Sequence, residues 1–141
     1  MNKVIIYTDG GARNNPGPAG IGVVLYDEKK KIMETYKEYI GEATNNQAEY
    51  RALLKGLELA EKYMDSRLRR NDKGVEIECF LDSELVVKQL NKEYKVKDPD
   101  LQVLYSQILD LVIFKNISFK HVKREQNKLA DKLVNEAIDE A

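Results

Sequence analysis

The sequence predicts an α/β fold: a five-stranded mixed sheet in the order 3-2-1-4-5, with strand 2 antiparallel, flanked by helices. Three observations lead there. Segments of period two crowd the first third of the chain, the apolar spacing then switches to the helical period, and strand-like and helix-like segments alternate from there to the end.

Lys3 to Thr8 (KVIIYT) alternates and is rich in β-branched residues, as a strand requires. The stretch after it, DGGARNNPGPA, reads as turn chemistry, because Gly, Asn and Pro supply the backbone angles a reversal needs. Gly20 to Asp27 (GIGVVLYD) is the second strand, EKKK the next turn, and Ile32 to Gly41 the third strand. Short connections make these three an antiparallel meander. From Asn46 the period changes, and Leu53, Leu57, Ala60 and Met64 fall on one face of an amphipathic helix. Val75 to Leu81 (VEIECFL) is the fourth strand, followed by a short helix from Ser83. Asp98 to Phe114 forms another helix, with Pro99 where the start favours it. Ile117 to Val122 is the fifth strand. The last helix, about Gln126 to Glu140, carries the stripe Leu129, Leu133, Val134, Ala137 and Ile138. With no internal repeat or low-complexity linker, residues 1–141 read as a single domain.

Composition narrows the function. A chain of 141 residues can bury roughly 68–70% of its extended surface. Hydrophobic residues at 43% and charged residues at 33% exclude wholesale disorder. The single cysteine, Cys79, has no internal disulfide partner and suits a reducing compartment. No stretch is apolar enough for a signal peptide or a membrane span, so a cytoplasmic protein without a membrane partner is expected. The balance of 23 basic and 24 acidic residues argues against a broadly basic surface. It leaves room for a nucleic acid held by local cations and metal ions.

Topology brings distant acids together. If strand one ends at the top of the sheet, the helix after the meander begins at the top, placing Glu49 near Asp9. Strand four rises parallel to strand one and ends at Asp82; strand five rises beside it, so the final helix brings Asp131 to the same rim. That rim is where open α/β sheets bind ligands. Four gathered carboxylates must either keep protons at raised pKa values or hold hard cations. Oxygen ligands without cysteine or a histidine pair favour Mg²⁺ or Mn²⁺. Two such ions about 3.5–4 Å apart suit in-line displacement at phosphorus, which points to phosphodiester hydrolysis. The glycine-rich stretch lacks the spacing of a P-loop or a dinucleotide fingerprint, and a strand follows it, so neither an NTP-binding nor a dinucleotide-binding fold is expected.

Four segments in order, YTDGGARNNPGPAGIG, TNNQAEYRALLKGLELA, FLDSELVV and REQNKLADKLVNEA, resemble type 1 ribonuclease H over essentially the whole chain. The resemblance implies a ribonuclease H-like fold and hydrolysis of the RNA strand of RNA/DNA hybrids, giving 5′-phosphate and 3′-hydroxyl ends. It implies Asp9, Glu49, Asp82 and Asp131 as both catalytic residues and metal ligands. Asp9 would bridge two ions, with Glu49 and Asp82 on one and Asp131 on the other. It further implies substrate contacts from backbone amides near Gly10, Gly11 and Ala12, and from Asn15, Asn45 and Asn46 across the minor groove, with Thr44 near the DNA backbone. Shape and 2′-hydroxyls, not sequence, are what such a site reads. Double-stranded RNA is a second expected substrate, a hybrid-binding module without cleavage is the rival class, and a monomer is expected.

The chain departs from the family pattern in several places. Glu84 replaces a glutamine that touches substrate in many members and reads as a helix-start acid. NKEYKVKDPD is too short for the Lys- and Trp-rich protrusion of many members, leaving Lys92, Lys95 and Lys97 for a few phosphate contacts and a salt-dependent affinity. His121 has the spacing of the family's loop histidine but reads as packed within strand five, which leaves metal-bound water or Arg124 to aid product departure. Met64 to Gly74 reads as an inserted loop, with Arg67, Arg69, Arg70 and Lys73, at the far end of the sheet.

Overall fold

In the computed structural model, which describes residues 2–63, 75–112 and 116–141, the first three strands are longer than the sequence predicts. β1 runs Lys3–Ala12, β2 Gly17–Tyr26 and β3 Ile32–Ala43. The added length is in the glycine-rich stretch. Gly10, Gly11 and Ala12 pair with Ile21, Gly20 and Ala19, and the reversal is confined to residues 13–16. Cross-strand pairing has overridden local turn propensity there.

β4 (Glu76–Leu81) and β5 (Asn116–His121) complete a five-stranded sheet in the order β3-β2-β1-β4-β5. β1 and β4 are parallel, as are β4 and β5, while β2 is antiparallel to both of its neighbours. This is the expected topology. The helices are α1 (Asn45–Ala60), α2 (Glu84–Leu90), α3 (Pro99–Val112) and α4 (Lys128–Asp139). α4 begins two residues later than its apolar stripe predicts, because residues Arg124–Gln126 form a 3₁₀ turn ahead of it. Met64, the predicted insertion Met64–Gly74, and Phe114 at the predicted end of α3 lie outside the described residues. Among the described residues no helix is long and apolar enough to cross a membrane.

Side-chain alternation splits the core between the two faces of the sheet. Val4 and Ile6 of β1, Val23 and Leu25 of β2, and Ile77, Cys79 and Leu81 of β4 meet Leu53 and Leu57 of α1, with α2 and α3 closing that layer. Leu53 and Ile6 are fully buried, each contributing roughly 1.5–3 kcal/mol. On the opposite face, Val24 and the adjoining Tyr7 and Tyr26 receive Ala130 and Leu133 of α4.

Two glycines let helices rest directly on strand backbone. A Cβ at Gly10 would lie 2.2 Å from the Ala48 backbone of α1, and one at Gly22 would lie 2.3 Å from the Ala130 carbonyl oxygen of α4. Ala48 and Ala130 each immediately precede an acid of interest, Glu49 and Asp131. The closest helix–sheet approaches therefore fall where carboxylates must be brought in.

Candidate active site

The carboxyl ends of β1 and β4 and the first turns of α1 and α4 meet at one rim. Thr44 starts α1 with a reciprocal cap: its Oγ1 accepts the Gln47 N–H at 3.1 Å, and the Gln47 side chain accepts the Thr44 N–H at 2.9 Å. This fixes the turn that presents Glu49, whose Oε1 accepts the Gly10 N–H at 2.6 Å. Asp82 follows β4 directly, before Ser83, whose Oγ accepts the Val86 N–H at the start of α2. Asp131 lies in the first turn of α4.

One carboxylate oxygen each from Asp9, Glu49 and Asp82 lies within 4.8 Å of the other two. Asp131 stands just outside that trio but close enough to interact with the Asp9 carboxyl. All four line one open cavity of about 450 Å³. Asp9 and Glu49 are 7% and 5% exposed, so water screens their mutual repulsion poorly. Burial first, then the charge of Asp82, pushes the Asp9 carboxyl up to about 7; Asp131 adds to the rise and the Glu49 hydrogen bond offsets part of it. Glu49 is pushed well above the usual carboxylate range by burial, then by the charges of Asp9 and Asp82, against the pull of the Gly10 amide. Without a cation the pair keeps a proton near neutrality, which relieves repulsion between such close acids.

The donor set fits a hard divalent cation. It is oxygen throughout, with no sulfur or imidazole in the cavity wall. Glu49 Oε2 is buried and finds no donor among the described residues, an acceptor that a cation would satisfy. The cluster can hold a metal ion.

The residues expected to touch substrate divide into two groups. Gly10, Gly11, Ala12, Asn45 and Asn46 line the cavity with the acids. Asn15 and Thr44 are not in its wall. Asn15 Oδ1 accepts the Asn45 N–H at 2.9 Å, so its carbonyl secures the start of α1 as Thr44 does. Two backbone amides read as open donors are engaged: Gly10 donates to Glu49, and Ala12 donates to Asn45 Oδ1 at 2.8 Å. The Asn45 carbonyl is thereby occupied, leaving its NH₂ as the group free to meet a ligand.

The other expectations resolve as follows. Glu84 is exposed in the first turn of α2 and pairs with Lys88 at 3.2 Å, outside the cavity wall, as a helix-start acid should. His121 belongs to β5, as the pattern predicts, but it is the last residue of the strand and exposed rather than packed inside it, because β5 ends there at the edge of the sheet. Lys92, Lys95 and Lys97 are exposed in the connection between α2 and α3. Arg124 is exposed and lines the cavity with Ser83 and Asn135. Its guanidinium makes no hydrogen bond or ion pair among the described residues.

Sequence reasoning missed Asn127. It is 2% exposed, and its Nδ2 donates to the Thr8 carbonyl at 2.9 Å and to Asp82 Oδ2 at 3.3 Å. An asparagine ahead of an amphipathic helix signals only a cap. Nothing in local sequence shows its side chain turned toward a strand more than a hundred residues earlier.

The profile of the reverse transcriptase-like family matches residues 7–137. A bifunctional protein of Mycobacterium tuberculosis is 43% identical over 141 residues, which cover 99% of this chain and 36% of that protein. The chain thus spans about a third of the length of this relative. LC11 RNase H1, isolated from compost by a metagenomic approach and solved in complex with RNA/DNA hybrid, is 48% identical, with a TM-score of 0.87 over 97% of both chains. RNase H1 from the halophilic archaeon Halobacterium salinarum is 40% identical, with a TM-score of 0.87 over 99% of this chain and all of that one. Identity at this level over nearly complete chains, with a TM-score of 0.87 to both structures, places the chain in the type 1 ribonuclease H family, in its compact form.

Proposed function

We propose that the chain is a divalent-metal-dependent endonuclease that hydrolyses the RNA strand of RNA/DNA hybrids, leaving 5′-phosphate and 3′-hydroxyl ends. The observation that carries this reading is the meeting of Asp9, Glu49 and Asp82 within 4.8 Å, with Asp131 beside them. Binding alone gives no reason to gather acids that repel phosphate. Asp9, Glu49, Asp82 and Asp131 would hold two Mg²⁺ or Mn²⁺ ions with substrate in place. When bound, the ions supply Lewis acidity at the scissile phosphate and lower the pKa of the attacking water.

The chain's own residues do the rest. The ionised carboxylates fix the cluster's geometry, so Asp9 and Glu49 must give up their shared proton before it is loaded. Hydrolysis breaks the P–O3′ bond: the water oxygen stays on the 5′-phosphate, and a proton goes to the departing 3′-oxygen. Asn45 and Asn46 at the cavity wall offer uncharged donors to 2′-hydroxyls and base edges in a minor groove, a surface that reads shape rather than sequence. All the groups come from one chain, so a monomer suffices, and a single cysteine, Cys79, with no internal disulfide partner suits a reducing cytoplasm.

The test is a labelled hybrid incubated with Mg²⁺ or Mn²⁺, beside duplex RNA and an Asp9→Asn control. Metal-dependent cuts confined to the RNA strand are expected. Binding of the hybrid without any cut would instead identify a binding module, and equal cutting of duplex RNA would widen the substrate class.

Arg124 takes the place of a loop histidine in this reading. Its guanidinium stays charged and can hydrogen-bond the departing oxygen or the released phosphate, although it cannot donate a proton to them. Arg124→Ala should lower kcat by about tenfold, the worth of one charge-assisted hydrogen bond, with a smaller change in KM. Steady-state kinetics on a short hybrid separates the two. An unchanged kcat would remove Arg124 from the chemistry.

A further inference from the structure

We infer that Asn127 is a positioning residue that fixes the Asp82 carboxylate against the end of β1 and thereby sets the spacing of the metal-binding cluster. The inference rests on the proposed function in one respect, that the cluster's occupant is a divalent cation.

Asn127 occupies the N-cap of α4, where an asparagine side chain ordinarily accepts a backbone N–H of the first turn. Here it makes no such bond. Its amide is turned inward, and both of its Nδ2 contacts, the Thr8 carbonyl and Asp82 Oδ2, are acceptors. The orientation of the amide group is therefore unambiguous. Among the described residues Nδ2 is the only hydrogen-bond donor to the Asp82 carboxylate. The backbone carbonyl of Asn127 also accepts the Asp131 N–H at 3.1 Å.

One residue thus touches three carriers of the cluster: β1 immediately before Asp9, the Asp82 side chain, and the turn that presents Asp131. The arrangement is costly for local stability. The helix loses a side-chain cap, and Asn127 Oδ1 is buried without a donor. A serine would serve the helix better but lacks the reach to bond both Thr8 and Asp82. The choice of residue makes sense if its task is Asp82. Hydrogen bonds that orient ligating carboxylates typically matter by 10–100-fold in metal affinity.

The experiment compares the full chain with Asn127→Ala and Asn127→Ser. Mn²⁺ binding is measured by calorimetry without substrate, alongside melting temperature and the kinetics of hybrid cleavage. Positioning predicts that both variants bind Mn²⁺ about tenfold or more weakly and lose kcat, with KM for the hybrid within about twofold. Serine should recover the melting temperature lost in the alanine variant, through its cap, without recovering metal affinity. If the serine variant binds Mn²⁺ as tightly as the unaltered chain, Asn127 is only a helix cap and the inference is overturned. If the unaltered chain binds no Mn²⁺, the functional reading and the inference fall together. If it binds Mn²⁺ but leaves the hybrid intact, only the functional reading falls, and the ratio of affinities still decides the role of Asn127.

Discussion

Replacing Asp9 with Asn is expected to stabilise the metal-free protein while abolishing cleavage. Asp9 has its pKa pushed up to about 7, mainly by burial and by Asp82, from an ordinary value of 3.8. The folded state therefore holds this proton more tightly than the unfolded chain. Below the unfolded value the carboxyl is protonated in both states and costs nothing. As pH rises from about 4 to about 7 the unfolded chain ionises first, so the stability of the fold declines. Above 7 the full cost persists. A gap of about three pK units corresponds to the order of 4 kcal/mol, reduced where Glu49 takes part of the proton. Asparagine keeps the shape without the charge. Denaturant titration in chelator at pH 8 should show Asp9→Asn more stable by on the order of 3 kcal/mol, with the difference shrinking toward pH 4. Saturating Mg²⁺ should narrow it, because only the unaltered cluster gains stability from binding a cation. Cleavage should fall by about 10³-fold or more, since one of the carboxylates that would hold the ions is lost. Equal stability at pH 8 would mean that Asp9 ionises there without penalty, and the account of the cluster as repelling acids awaiting a cation would be lost.

The four acids were legible because each is read from an element whose direction the topology fixes. Asp9 and Asp82 each follow the last parallel pair of β1 and β4, Thr8 with Leu81, Glu49 follows a capped helix start, and Asp131 lies in the first turn of a helix with an unmistakable apolar stripe. Carboxylates carry the same chemistry wherever they converge, so arrival at one rim was enough. The finer arrangement needed tertiary contacts. Gly10, Gly11 and Ala12 look like turn residues one at a time, and only pairing with Ile21, Gly20 and Ala19 makes them strand. The amides of Gly10 and Ala12 look open until Glu49 and Asn45 are seen to occupy them. Asn15 and Thr44 carry groups suited to substrate, yet the oxygens they present secure α1. His121 shows the opposite limit: its strand was legible, but its exposure depends on where β5 lies relative to its neighbours. Residue type decided chemistry, and long-range hydrogen bonds decided availability.

Gly22→Ala is expected to damage catalysis from behind the site, with no polar group removed. Gly22 sits opposite Asp9 in the β1–β2 register and carries α4 on its open face. An added Cβ would meet the Ala130 carbonyl oxygen at 2.3 Å and Leu133 Cβ at 2.9 Å. Neither neighbour can swing aside as a flexible side chain would, so α4 must lift from the sheet. Overpacking of this kind costs about 1–3 kcal/mol. Asp131 follows Ala130 directly and moves with it. A displacement of about 1 Å in a catalytic constellation costs on the order of 10²-fold in rate, and the loss should appear in kcat rather than KM, because Gly22 lies outside the cavity wall. Gly11→Ala is the control for stability, since its added Cβ would meet nothing nearer than Val134 Cγ1 at 3.8 Å. Melting curves should separate the two glycines, and kinetics of Gly22→Ala should show the kcat loss. Full activity in a folded Gly22→Ala variant would show that Asp131 reaches its place without the close seating of α4. Short of that result, the glycine at position 22 is a geometric requirement of the carboxylate cluster, imposed through backbone contact.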